Sequence, residues 1–275
     1  VLTCAEGDEV IPQTPLHLSG EESHSPNGEI QGWVWYVDQP EGSQSVFAPS
    51  STFPTPTLEP NVAGVYTLYL TVSDQTVMHS AFPAAFEVAV IPDEAIHIEL
   101  IWHNPDDPDE TDEGPYAGAD LDLHFVHPFA TGPDLDNDGQ PDGWFDIPFD
   151  CFWFNSSPEW GSFNPDIDDN PGLDRDDTDG AGPENLNLNL PEDLTYRVGA
   201  HYWNAHDMGI SYATVRVYIY AQLVLEAANV MLVEHDMWEV CTVEWPSGAV
   251  QLTEGEGGGH KITHDYVNPY FQQPE

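Results

Sequence analysis

The sequence predicts an all-β chain of two antiparallel β-sandwich domains, and three observations carry that expectation. Runs of β-branched and aromatic residues, each of strand length, recur along the 275 residues. Between them 25 Pro and 22 Gly punctuate the chain as turn formers do. No window of helical length holds the 3.6-residue apolar period of an amphipathic helix.

The strands follow in order. Residues 65–72 are an unbroken β-branched and aromatic run, started by Gly64 and stopped by Ser73-Asp74. Residues 82–91, 96–102, 196–203, 213–220 and 237–245 read the same way. A boundary falls near Ile91-Pro92-Asp93-Glu94, which makes 1–91 a first domain. A larger, jelly-roll-like sandwich with acidic calcium loops is expected over 95–254. Gly255-Glu256-Gly257-Gly258-Gly259 reads as a flexible hinge, and 255–275 as a C-terminal arm carrying Tyr266, Tyr270 and Phe271.

Charge narrows the function classes. Four Lys+Arg stand against 49 Asp+Glu, a formal net charge of −45. The first basic side chain is Arg175, so a nucleic-acid partner is excluded, since phosphate binding needs clustered Lys and Arg. An anionic membrane surface is excluded for the same reason. No apolar run approaches the roughly 20 residues of a spanning helix, so membrane insertion is not expected. At 40% hydrophobic and 12% aromatic the chain has ample material for a core, which excludes global disorder. A compact state this acidic needs counterions, supplied by high salt or by millimolar calcium outside a cell. These point to secretion or to a saline habitat, which are not exclusive, and the location expected is extracellular or cell surface. The chain opens at Val1 without Met or an apolar leader and reads as a mature product. Cys4, Cys151 and Cys241 are too few for a disulfide scaffold; the pair expected to bond is Cys151–Cys241, both in the second domain.

Val10-Ile11-Pro12, Leu16-His17-Leu18-Ser19-Gly20, Ser25-Pro26-Asn27-Gly28 and Trp33-Val34-Trp35 follow one another ahead of Ala63-Gly64-Val65-Tyr66 and Leu70-Thr71-Val72-Ser73-Asp74. Residues 1–91 thereby resemble a polycystic-kidney-disease (PKD) repeat, an immunoglobulin-like sandwich. The match departs at Asn27, where Asp is common, and in the long 39–60 stretch. The resemblance implies a spacer or adhesion module without catalysis, with Trp35 buried between the sheets. Asp120-Leu121-Asp122-Leu123-His124, Leu173-Asp174-Arg175-Asp176-Asp177 and Gly182-Pro183-Glu184-Asn185 are similar to an uncharacterised family of bacterial secreted β-sandwich domains. That resemblance covers 95–245 and implies a fold rather than an activity.

The chemistry lies in the carboxylates, 23 of which fall within 106–184. Asp134, Asp136, Asp138 and Asp142 occupy loop positions 1, 3, 5 and 9, with Gly139 at 6 for the sharp turn and Gln140 at 7 to offer a carbonyl. This spacing suits Ca²⁺, which takes 6–8 oxygens. An EF-hand wants Glu at position 12, where Phe145 stands, so a calcium loop of a β-protein is expected, similar to those of thrombospondin type 3 repeats. A second group is Asp174, Asp176, Asp177, Asp179 and Glu184, closed by Asp120 and Asp122. Strand alternation puts Asp120 and Asp122 on one face, and like charges so placed call for a cation. Asp166, Asp168, Asp169 and Asn170 are a weaker third group. At least two Ca²⁺ are expected, and chelation should open the second domain.

His103, His124, His127, His201 and His206 offer nitrogen ligands, but no HExxH helix carries them, and packing is the expected role. No nucleophile elbow or phosphate loop occurs, so the chain is not expected to be an enzyme. The reading is a non-enzymatic structural or adhesion protein whose partner is a protein or glycan of a surface or matrix. Self-assembly into a homo-oligomer or filament through the C-terminal arm is part of it. A glycan-binding accessory module, with Trp144, Trp153 and Trp160 exposed beside the acidic loops, is the alternative. A metal-dependent hydrolase is the second.

Overall fold

The structure, a computed structural model, describes every residue except Glu113, Pro115, Tyr116, Asp179 and 272–275. The chain is all-β and divides into two compact units, Val1–Asp93 and Glu94–Glu275.

The first unit holds β1 (Thr3–Cys4), β2 (Glu9–Val10), β3 (Leu16–Ser19), β4 (Ile30–Asp38), β5 (Phe47–Ala48), β6 (Thr57–Leu58), β7 (Gly64–Asp74) and β8 (Ala84–Val90). One sheet runs β1-β3-β6-β5 and the other β2-β8-β7-β4. Alternation along β7 turns Tyr66, Leu68 and Leu70 inward, where they meet Leu16, Leu18 and Leu58 of the facing sheet. Trp35 is buried at 3% exposure and its indole N–H donates to the Phe53 carbonyl at 2.8 Å. Gly64 is required where it stands: its φ is +145°, and a Cβ there would lie 2.6 Å from Pro40.

The second unit holds β9 (Ile96–His103), β10 (Asp120–Val126), β11 (Asp150–Cys151), β12 (Gly172–Arg175), β13 (Glu184–Leu188), β14 (Thr195–Asn204), β15 (Ser211–Ile219), β16 (Gln222–Leu232), β17 (Met237–Glu244), β18 (Ala249–Leu252) and β19 (Lys261–Thr263). One sheet runs β11-β10-β14-β17-β18, with β19 also on β17; the other runs β12-β13-β9-β15-β16. Leu121, Leu123 and Phe125 of β10 and Tyr196, Val198 and Ala200 of β14 face Ile96, Ile98, Leu100 and Val215 across one core. The opposite face of β10 and β14 carries Asp120, Asp122, His124, Arg197 and His201. That face is covered as well, by Trp144, Phe145, Phe152 and Tyr266 packed around Val126 and Met237. Polar side chains therefore lie between the six-stranded sheet and a third, aromatic layer.

Two expectations are corrected here. The Cys151–Cys241 disulfide is absent: both thiols are free and buried. Cys151, Phe125, Val198 and Cys241 are successive register partners across β11, β10, β14 and β17. Three inter-strand steps separate the two cysteines by about 14 Å, whereas a disulfide needs Cα atoms roughly 4.4–6.8 Å apart. Nor does the C-terminal segment stand apart as an arm. β19 pairs with Met237–Glu239 of its own sheet, and Tyr266 beyond it is only 1% exposed. Its glycines form a tight excursion, closed by the Glu254–His260 bridge, with φ of 86°, 89° and 85° at Gly257, Gly258 and Gly259. The strand that would be lent to another copy is already paired within the sheet.

Candidate metal centres

Among the described residues, two acidic groups bring ligand atoms within 4.8 Å of one another throughout: Asp122, Asp176 and Glu184, and the loop Asp134, Asp136, Asp138 and Asp142.

The first group forms where β10 lacks a neighbour. β11 covers only Phe125 and Val126, which leaves the edge of β10 open from Asp120 to His124. Glu184, first residue of β13, reaches that edge, and its Oε2 accepts the Leu123 N–H at 2.5 Å. Asp122 is 2% exposed and Glu184 0%, while Asp176 closes the group at the rim. Asp122 Oδ2 and Glu184 Oε1 are buried without a hydrogen-bond partner among the described residues. Burial pushes the Asp122 carboxyl well above its ordinary value, and the charges of Asp120, Asp176 and Asp150 push it further. Glu184 is raised by burial and by Asp122 and Asp176, against the lowering effect of the Leu123 N–H. Buried carboxylates this close cannot all ionise without a positive charge among them.

Not every residue expected in this group belongs to it. Asp174 accepts from the Asn187 amide instead. Asp177 is buried 3.6 Å from Arg175. Asp120, 5% exposed, contributes by its charge, and Asp179 lies outside the described residues. The third group does not converge: Asn170 accepts from the amides of Trp160 and Gly161, and Asp169 from that of Ser162.

The loop is built by local capping. Asp134 Oδ2 accepts from Gly139 N at 3.0 Å, Asp136 Oδ1 from Asp138 N at 2.9 Å, and Asp138 Oδ1 from Gln140 N at 2.7 Å. Asn137 at φ 61° and Gly139 at φ 89° make the turn that points the carboxylates inward. The Asp138 N–H lowers Asp136, but desolvation and the charges of Asp142, Asp138 and Asp134 outweigh it and raise that carboxyl. Asp142 Oδ2 takes Leu135 N at 2.8 Å and the Tyr266 hydroxyl at 2.7 Å, tying the loop to the C-terminal segment. The loop opens on a pocket of about 100 Å³ shared with Arg197, Glu239, Lys261 and Tyr266. Arg197 was not singled out as a site residue, and Tyr266 only as an aromatic of the arm, because only the fold brings them to the loop.

The remaining candidates separate. Trp144 is buried at 3%, beneath the Arg197 guanidinium at 4.7 Å, so it is not an exposed sugar platform; Trp153 and Trp160 are half-buried. His103 pairs with Glu110 at 2.7 Å and His206 lies 2.7 Å from the Gly118 carbonyl. His127 packs against Phe149. Only His124 and His201 approach one another, with ring centroids 6.3 Å apart. Burial holds His201 neutral, its pKa pushed down to about 3.

No protein-family model matches the chain, and no curated protein matches it. Among the solved structures with a low-level likeness are the following two. One is a PKD domain known from a solution structure, 23% identical, covering 30% of this chain and 78% of that one with a TM-score of 0.26. The other is a carbohydrate-binding module of the β-sandwich superfamily, described as promiscuous in specificity. It is 13% identical and covers 80% of this chain and 95% of its own, also with a TM-score of 0.26. Neither assigns the chain to a family.

Proposed function

We propose that this chain is a non-enzymatic structural or adhesion protein of an extracellular or cell surface, whose second unit is held folded by calcium. The observation that carries the reading is the group Asp122, Asp176 and Glu184, two of them buried with a carboxylate oxygen left without a partner. An all-oxygen, all-anionic donor set suits a hard cation, and Ca²⁺ takes such ligands at about 2.3–2.6 Å. The Asp134–Asp142 loop offers a second, more exposed set with the turn geometry calcium loops use. A net charge of −45 makes bound cations part of the stability of the compact state. On this reading the carboxylates serve ion binding, and the partner is a protein or glycan of a surface or matrix.

The test is thermal melting and limited proteolysis of the full chain in millimolar calcium and in excess EGTA at equal ionic strength. The second unit should melt lower and be cut within 106–184 in EGTA, while the first unit is unchanged. Identical melting in both solutions would replace the calcium account with general salt screening. A glycan array probed in calcium and in EGTA then separates a glycan partner from a protein one.

A further inference from the structure

Four buried polar atoms without a hydrogen-bond partner lie on one face of the six-stranded sheet, beneath the aromatic layer. They are His124 Nε2, His201 Nδ1, Asp122 Oδ2 and Asp150 Oδ1, from side chains 0%, 1%, 2% and 0% exposed. The sheet brings them together: Asp122 and His124 are two apart on β10, and His201 is the register partner of Asp122 on β14. His201 Nδ1 stands 3.9 Å from Asp122 Oδ2.

Both rings are fixed through their other nitrogen. His124 Nδ1 donates to Asp150 Oδ2 at 2.7 Å, and His201 Nε2 donates to the Tyr266 carbonyl at 2.9 Å. With those nitrogens committed, His124 Nε2 and His201 Nδ1 are the ring atoms left to face a ligand. A histidine whose far nitrogen is held by a carboxylate or a carbonyl is the arrangement metal-ligating imidazoles adopt. Phe152 stacks on His124 at 5.2 Å and Phe145 meets its edge at 4.7 Å, so the site is walled by rings.

We propose that His124, His201 and Asp122 form a centre for a divalent transition metal of the zinc class, with Asp150 and the Tyr266 carbonyl as its outer hydrogen-bond partners. Nitrogen donors favour such ions over calcium and magnesium. The set is looser than the two carboxylate groups, with at least one pair of its donor atoms more than 4.8 Å apart. Two imidazoles on one tetrahedral ion hold their centroids about 5 Å apart, so loading draws these rings together by about 1 Å. Asp122 is shared with the carboxylate group, but the proposal does not require calcium there.

The experiment uses the full chain in millimolar calcium, titrated with Co²⁺ and then with Zn²⁺. One equivalent of Co²⁺ should give the visible bands of a four-coordinate nitrogen-containing site, and Zn²⁺ should abolish them. His124→Gln and His201→Gln each keep an amide donor toward Asp150 or the Tyr266 carbonyl. Each should weaken Co²⁺ binding by at least about a hundredfold, with melting in calcium close to that of the parent. His103→Gln should leave the bands in place. Absence of the bands, or bands that persist in both glutamine variants, overturns the centre. Should both variants misfold, zinc-edge absorption of the parent protein decides: two imidazoles at about 2.0–2.1 Å support it, and oxygen-only scattering overturns it. Loss of these bands with an intact calcium-dependent melting shift sinks this inference alone.

Discussion

Asp122→Asn removes a charge from the buried group while keeping its shape, and the effect should depend on calcium. Without an ion, two carboxylates no more than 4.8 Å apart repel by at least about 3.5 kcal/mol at an effective dielectric of 20. Each of the three pairs in the group carries that penalty if all ionise. Taking up a proton is the cheaper escape, and holding an Asp protonated at pH 7 costs about 4 kcal/mol, which caps the relief the variant can give. In EGTA the variant should therefore be more stable by about 2–4 kcal/mol, a rise in Tm of roughly 5–15 °C for a unit of this size.

In calcium the balance differs. A site filled at one hundred times its Kd contributes about 2.7 kcal/mol, and one weakened a hundredfold only about 0.4 kcal/mol. The calcium-induced shift should shrink accordingly, and the loop's own contribution cancels because it is the same in both proteins. Burial and neighbouring charge raise Asp122 and Glu184, so the calcium-free native state holds more protons than the unfolded one above the ordinary carboxylate range. Its stability then falls as pH rises, by about 1.4 kcal/mol per unit for each retained proton, and the advantage of the variant narrows toward pH 5. Calorimetry of both proteins, with and without calcium, at pH 5 and 7 reads all of this. A variant less stable than its parent in EGTA, or one with an undiminished calcium shift, would refute the reasoning.

Three further outcomes are expected. Asp136→Asn with Asp138→Asn should lower the calcium stoichiometry by one in titration calorimetry and leave the buried group able to bind; unchanged stoichiometry would mean the loop holds no ion. Tyr266→Phe removes the hydroxyl that donates to Asp142. Losing a hydrogen bond to a charged group costs about 1.5–3 kcal/mol, and proteolysis should speed up within 255–271; equal cutting rates would show that the tie does not hold the segment. Burial pushes the Cys241 thiol up to about 12 and Cys151 well above its usual value. Neither should react with a thiol reagent until the unit unfolds, and a reductant should leave Tm unchanged; a drop in Tm on reduction would revive the disulfide.

What the sequence made legible is what depends on neighbours along the chain. The strand core at 65–72 and the turn-forming Gly139 were readable from local composition, as was the loop whose acids cap their own backbone, while the burial of Trp35 came from the resemblance. Asp120 and Asp122 were placed on one face by alternation alone. What was not readable depends on sheet order. Strand pairing decides that Glu184 meets the open edge of β10, that Asp174 is taken by Asn187, and that Cys151 and Cys241 sit three strands apart. The covered outer face was invisible for the same reason. Trp144, Asp150 and Tyr266 come from three separate segments, and nothing in the spacing of any one announces a third layer.

The most direct test of the calcium account is a crystal structure grown in millimolar calcium, with anomalous scattering collected to identify the ions. The account predicts a calcium ion coordinated by Asp122, Asp176 and Glu184 at about 2.3–2.6 Å, and a second within the Asp134–Asp142 loop. A well-ordered map with only water among Asp122, Asp176 and Glu184 would contradict it.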